Sequence, residues 1–128
     1  RQVFLASGVW WLPTKELRAL RQAIIDQSDT YGKIVNNPDF KEICPVIGVE
    51  FYKRMPNDVP KDYPHPEYVM CKNYTCSTSL TPEQFQKATV KEIAEKFRLM
   101  KPFNDFLKEN ILINLEEMEG MKDVVKFI

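Results

Sequence analysis

The chain has 128 residues, of which 44% are hydrophobic and 12% aromatic, and its 18 basic residues balance 18 acidic ones. This composition predicts one globular domain with its own hydrophobic core and excludes a disordered chain. A net charge of zero argues against nucleic-acid binding, which needs a basic surface. No apolar run approaches the roughly 18 residues of a membrane span, so no membrane partner is expected.

The three cysteines give no sign of a disulfide framework or a metal site. Cys71 and Cys76 lie on one predicted strand, point to opposite faces, and are about 16 Å apart, beyond the reach of a disulfide. No cysteine or histidine spacing fits zinc, and we expect no metal and no cofactor. With no export signal in the sequence, a reducing, cytoplasmic compartment is the natural interpretation.

The first third of the chain predicts a strand and then helices. The run QVFLASGVWW at 2–11 is typical of a strand, with a bulge or close backbone approach at Gly8. Apolar residues at helical spacing predict an amphipathic helix from Lys15 to about Gln27, with Thr14 as its N-cap. Two short helices should follow, on either side of a break at 36–38.

The middle of the chain predicts two further strands around a proline-rich loop. Residues 45–55 and 71–80 are rich in strand-forming residues, and 57–66 contain three prolines. A single helical turn should begin at Pro66. Beyond the third strand, capping boxes at Thr81 and Thr89 predict a helix over 82–87 and then a longer one, with a kink or break at Pro102. Residues 114–128 are weakly helical.

This order of elements predicts an α+β fold. We expect a small, mostly antiparallel sheet of about three strands, with helices packed on one face. The chain runs from Arg1 at once into a strand, and three strands make a thin sheet. We therefore expect residues 1–128 to be a single α+β domain that is part of a larger one.

Two residues between 64 and 80 are candidates for chemistry. On a strand over 70–80, Lys72 falls on the more apolar face, where an ammonium must reach out to solvent, pair, or shift its pKa. It is either an anion-binding or proton-transferring group, or a lysine that protects a sheet edge. His65, between two prolines, is either a general acid or base or a turn histidine bonded to a carbonyl.

The arginines offer a second candidate. Arg18 and Arg21 flank the apolar stripe of the first helix, and Lys53 and Arg54 end the second predicted strand. These groups either converge into a cradle for an anion or remain solvated separately. The cysteines are expected to be buried packing residues. No phosphate loop, dinucleotide fingerprint, metalloprotease or serine-hydrolase motif is present, so the sequence leaves open whether the protein is an enzyme.

Several of these segments also resemble a known family. FLASGVWWLP with ELRALRQAI, the run Lys53–Pro56, the His65-Pro66 turn, Lys72, and FRLMKPFNDFL at 97–107 resemble, in order and rough spacing, the conserved hypothetical proteins called domain of unknown function 2461. The resemblance covers about residues 2–108. It implies that the chain corresponds to the C-terminal half of a protein about twice as long, with 111–128 as a divergent tail.

The resemblance implies no established activity, so it assigns no catalytic residue. Its recurring positions favour Arg21, Arg54, His65 and Lys72 as ligand-binding residues. Three functions follow as hypotheses. The first is binding of a small anionic ligand through the arginines and lysine. The second is an enzyme that shares its site with a missing N-terminal half, with His65 or Lys72 in proton transfer. The third is an interaction module that binds that half or a second copy of itself.

Overall fold

The computed structural model describes the backbone of residues 3–115 and 126–127 and the side chains of 3–111. The elements, in chain order, are β1 (Val3–Trp11), α1 (Thr14–Asp26), α2 (Ser28–Val35), α3 (Pro38–Ile43), a 3-10 turn (Pro66–Tyr68), β2 (Tyr74–Leu80), α4 (Pro82–Lys87), α5 (Val90–Leu115) and β3 (Lys126–Phe127). The predicted α+β class is confirmed.

The sheet is built on one antiparallel pair of strands. β1 and β2 pair from Val3 opposite Leu80 to Val9 opposite Tyr74. The two residues of β3 pair with the other edge of β1, with a register shift between Val9 and Trp11. Gly8 has a φ of +113°, and a Cβ there would lie 2.2 Å from the Tyr74 carbonyl oxygen, which confirms the predicted close backbone approach.

The prediction of a strand over residues 45–55 is wrong. In the bridging loop (residues 44–52), only Phe51 makes a β-bridge, with Cys71. Gly48 turns the chain at a φ of +88°, and the Asn73 side-chain oxygen accepts the amide hydrogen of Val49 at 2.7 Å. A side chain therefore takes up backbone hydrogen bonding that a strand ladder would have used, and the predicted count of about three strands is not confirmed.

The core lies between the inner face of the sheet and the helices. Leu5, Val9, Tyr74 and Cys76 are buried on that face, and α5 packs against both β1 and α1. Tyr31 of α2 lies at the centre, with its ring 5.0 Å from that of Tyr68 and 5.4 Å from that of Phe106. On the outer face of β1, Phe4 and Trp10 are exposed.

The helix ends follow the sequence closely, with exceptions. The capping boxes at Thr81 and Thr89 are confirmed, because each threonine hydroxyl accepts the amide hydrogen three residues on at 3.1 Å. The cap predicted at Thr14 is wrong, since α1 begins there and Pro13 precedes it without a side-chain bond. A kink or a break was predicted at Pro102; α5 continues through this residue, so a break is wrong, and the kink stays a prediction.

The weak helix predicted over 114–128 is tested only at its ends. Residues 114–115 continue α5, and 126–127 form β3 rather than a helix, while 116–125 and 128 lie outside the described residues. In the part of the chain that the structure describes, no helix is both long and apolar enough to cross a membrane.

Candidate functional site

A buried arginine is the main polar feature of the structure. Arg21 lies at the edge of the apolar face of α1, and only 3% of its surface is exposed. Its Nε and Nη2 donate to the two carboxylate oxygens of Asp58 at 3.0 and 2.8 Å. Asp58 is placed by the turn in which the Val59 amide donates to the Pro56 carbonyl. This two-bond geometry is the strongest form of an arginine–carboxylate pair.

One donor of Arg21 is left over. Its Nη1 is buried and has no hydrogen-bond partner among the described residues. A buried donor without a partner is costly, so each case needs an explanation such as an ordered water or a bound ion. The guanidinium carbon of Arg21 lies 5.5 Å from the ring centroid of Tyr52.

Lys72 approaches the same tyrosine. Its Nζ lies 5.3 Å from the Tyr52 ring centroid, within the range of a cation–π contact. The backbone sets this arrangement, because the Tyr52 amide donates to Met70 and the Lys72 amide to Glu50, each at 2.8 Å. The structure therefore brings Arg21 and Lys72, two of the four predicted site residues, to one aromatic ring.

The ion pair between Arg21 and Asp58 favours the charged form of both groups. Burial tends to lower the pKa of Arg21, but its interactions with Asp58 and Tyr52 outweigh burial and raise it above the usual value. The hydrogen bond from Arg21 lowers the pKa of Asp58, and the positive charge of Arg18 adds to that effect. The positive charges of Arg21 and Arg18 therefore both act on the negative charge of Asp58.

Lys72 does not lie on the strand face where the sequence placed it. β2 begins at Tyr74, and Lys72 precedes it in a bend, with its side chain exposed. The residues on either side of it, Cys71 and Asn73, are buried instead. The prediction that Lys72 occupies an apolar face is therefore wrong, because the alternation of a strand does not extend back to this position.

Arg54 and His65, the other two predicted site residues, make their own contacts rather than bonds to Arg21 or Lys72. Arg54 is exposed, and no described hydrogen bond or ion pair links it to Arg21 or Lys72. The His65 ring stacks on Tyr68 at 4.8 Å, and its Nδ1 lies 3.5 Å from a Glu67 carboxylate oxygen. His65 therefore packs within the proline loop (residues 56–66) and the turn that follows it.

The tyrosines of this region attach the proline loop to the helices. The hydroxyl of Tyr63 lies 2.6 Å from Oγ of Ser28, and the hydroxyl of Tyr68 accepts from the Asn36 side chain at 2.9 Å. Sequence reasoning missed this role, and it also missed Asp58 and Tyr52 as neighbours of Arg21. The pairing of Arg21 with Asp58 spans 37 positions, and no local pattern reports such a contact.

The three cysteines are buried, as predicted. Burial raises the pKa of Cys71 to about 11, so its thiol stays protonated at neutral pH. Among the described residues, no group of three or more histidine, cysteine or acidic side chains could hold a metal ion.

These features define the class of protein: a small α+β protein whose polar centre is a buried arginine–carboxylate pair next to a tyrosine that also contacts a lysine. The family model described as "Conserved hypothetical protein (DUF2461)" matches residues 1–106, and the chain belongs to this family. The resemblance read from the sequence is therefore confirmed. No curated protein and no solved structure matches the chain.

Proposed function

We propose that the protein binds a small anionic ligand at Arg21 Nη1 and Lys72 Nζ, beside the ring of Tyr52. The observation that carries this proposal is the buried Nη1 of Arg21, which has no partner among the described residues while the rest of the guanidinium is fixed by Asp58. A carboxylate or phosphate oxygen would accept from this donor and restore the missing hydrogen bond.

The arrangement supports an anion in two further ways. Asp58 holds the guanidinium in one orientation, so little side-chain entropy is lost when a ligand arrives. Lys72 is exposed, and it can move toward an incoming anion and shield it from solvent on the outer side. In this proposal Arg54 adds only to the positive field around the site, and His65 supports the proline loop.

The test is a thermal-shift and titration series on the full chain with inorganic phosphate, acetate and a nucleoside monophosphate, at constant ionic strength. A ligand at 100 times its Kd should stabilise the folded chain by about 2.7 kcal/mol. Lys72→Met should weaken binding by about 10- to 100-fold, the value of one hydrogen bond to a charged group. Lys101→Met removes another exposed lysine and should leave binding unchanged.

A second measurement separates a ligand at Arg21 from one that touches Lys72 alone. Asp58→Asn keeps an acceptor for the guanidinium but removes the negative charge that would repel an anion there, so phosphate should stabilise this variant more than the wild type when the ligand reaches Arg21. Equal stabilisation of both, or equal loss of binding in the Lys72 and Lys101 variants, would contradict the proposal.

The outer face of the sheet supports a second candidate function, association with another copy of the chain. Phe4 and Trp10 project from this face, with 66% and 43% of their surfaces exposed. Large apolar side chains exposed on one face of a sheet can mark an interaction surface. Light scattering should then find a dimer that Phe4→Ser with Trp10→Ser dissociates, and a monomeric wild-type chain would rule it out.

A further inference from the structure

An apolar cavity lies apart from the Arg21 site, between α2, the bridging loop and the 3-10 turn. Its volume is about 320 Å³. The buried part of its wall consists of aromatic and apolar side chains from these elements: Tyr31, Val35, Cys44 and Tyr68. Arg21 and Lys72 do not line this cavity, so a ligand bound here does not depend on the anion site proposed above.

The outer part of the wall is apolar as well. Val46 and Phe51 line the cavity, although 62% and 49% of their surfaces are exposed. The Cys44 thiol donates to the Val46 carbonyl oxygen at 3.5 Å, which keeps Val46 next to the buried part of the wall. A ligand in the cavity would cover these exposed side chains and remove their apolar surface from water, which favours binding.

Backbone hydrogen bonds hold the bridging loop in place beside the cavity. The Gly48 amide donates to the Thr75 carbonyl at 2.9 Å, and the Tyr52 amide donates to the Met70 carbonyl at 2.8 Å. The loop is therefore fixed in its middle and at its end. Because the wall is formed before any ligand arrives, little conformational entropy is lost on binding.

Two opposite charges lie at the opening of the cavity. Lys41 of α3 and Glu67 of the 3-10 turn both line it, and both side chains are exposed. Among the described residues these two groups form no ion pair with each other, and Glu67 has only the His65 Nδ1 at 3.5 Å. An ammonium and a carboxylate that share one opening without pairing complement a ligand that carries both charges.

We propose that this cavity binds a free amino acid with a large apolar side chain, such as phenylalanine. The apolar side chain enters the cavity, the carboxylate pairs with Lys41, and the ammonium pairs with Glu67. A cavity of about 150 Å³ is enough to hold benzene. The volume of about 320 Å³ therefore has room for an aromatic ring together with the atoms that join it to the charged groups.

The test is a calorimetric titration of the full chain, at constant ionic strength, with four small molecules. L-phenylalanine carries both charges, phenylpropionate lacks the ammonium, phenethylamine lacks the carboxylate, and L-alanine lacks the ring. We expect phenylalanine to bind most tightly and each singly charged analogue to bind about two- to fivefold more weakly, the value of one exposed ion pair. L-alanine should show no measurable binding, because it leaves the apolar wall uncovered.

Two variants assign the charges to their partners. In Lys41→Met the carboxylate has lost its partner, so phenylalanine should bind no more tightly than phenethylamine. In Glu67→Gln the ammonium has lost its partner, so phenylalanine should bind no more tightly than phenylpropionate. Lys101→Met removes an exposed lysine of α5 that does not line the cavity, and it should keep the wild-type preference.

A third variant tests the apolar wall. Phe51→Ser should weaken phenylalanine binding by about 3- to 10-fold, because a ligand can cover only the half of this ring that is exposed. Phe97→Ser changes a similarly exposed ring on α5, outside the cavity, and should leave binding unchanged.

Three results would overturn the proposal: no binding of phenylalanine, an analogue that binds the wild type as tightly as phenylalanine, or equal losses in the Phe51 and Phe97 variants. The ligand series on the wild-type chain decides the first two even where a variant fails to fold.

Discussion

The Arg21–Asp58 pair predicts an asymmetry between its two partners. Arg21 is 3% exposed, whereas Asp58 is 27% exposed. Asp58→Asn leaves a buried guanidinium without a countercharge, and this should cost about 3–5 kcal/mol. Arg21→Met removes the buried charge and keeps most of the volume, while Asp58 can turn to water, so this change should cost about 1 kcal/mol.

The assay is urea unfolding of both single variants and of the double variant, with m compared throughout. Because the double variant has no uncompensated charge, its loss of stability should be close to that of Arg21→Met alone, so the coupling energy should be about 3–5 kcal/mol in magnitude. Asp105→Asn, in the exposed pair with Lys101, is the control and should cost less than about 1 kcal/mol. An Arg21→Met loss equal to or greater than that of Asp58→Asn would refute the reasoning.

Three further changes test the environments of single residues. Folding lowers the pKa of Asp58, so its contribution to stability is full above its ordinary pKa of 3.8 and is lost as the pH falls below that value. In urea unfolding between pH 6 and 3, the free energy of unfolding should therefore fall less for Asp58→Asn than for the wild type. The pKa of Cys71 is raised from 9.0 to about 11, so the wild type should lose about 2–3 kcal/mol between these pH values that Cys71→Ala does not lose. Gly8→Ala combines a φ of +113° with a Cβ 2.2 Å from the Tyr74 carbonyl oxygen and should cost at least about 2 kcal/mol in thermal unfolding. Gly32→Ala, whose Cβ would have the Tyr68 hydroxyl at 3.0 Å as its nearest contact, should cost less.

The parts of the fold that could be predicted are those with a local signal. A threonine followed three residues later by glutamine or glutamate satisfies the first amides of a helix by itself, so Thr81 and Thr89 located α4 and α5 correctly. The apolar residues of α1 recur at helical spacing, which is also a local signal, so this helix was predicted correctly as well. The run over 45–55 has the composition of a strand, but a strand also needs a partner along its length. Here Asn73 binds the amides of Val49 and Glu50, and that depends on tertiary structure.

The candidate site was predicted only in part for a related reason. Arg21 was found because it flanks an apolar stripe, and Lys72 because it interrupts an apolar segment. Their shared neighbour, Tyr52, lies within a segment that was assigned to the wrong element, and the partner Asp58 lies in a loop without periodicity. Because β2 begins only at Tyr74, Lys72 is exposed in a bend and does not lie on the more apolar face of a strand. Such shifts in a boundary reverse the face on which a residue is placed.

Side-chain bonds, rather than a backbone ladder, hold the proline loop at the site. Asp58 bonds to α1, Tyr63 to Ser28, and the turn after the loop bonds through Tyr68 to Asn36. A change at Asp58 therefore affects both the stability of the loop and the orientation of the Arg21 guanidinium. Among the described residues the Lys72 side chain makes no such bond, and its Nζ lies 5.3 Å from the Tyr52 ring centroid. If the proposed site binds an anion, stability and anion affinity should be separable in this chain, because substitutions at Lys72 leave the arginine–carboxylate pair in place.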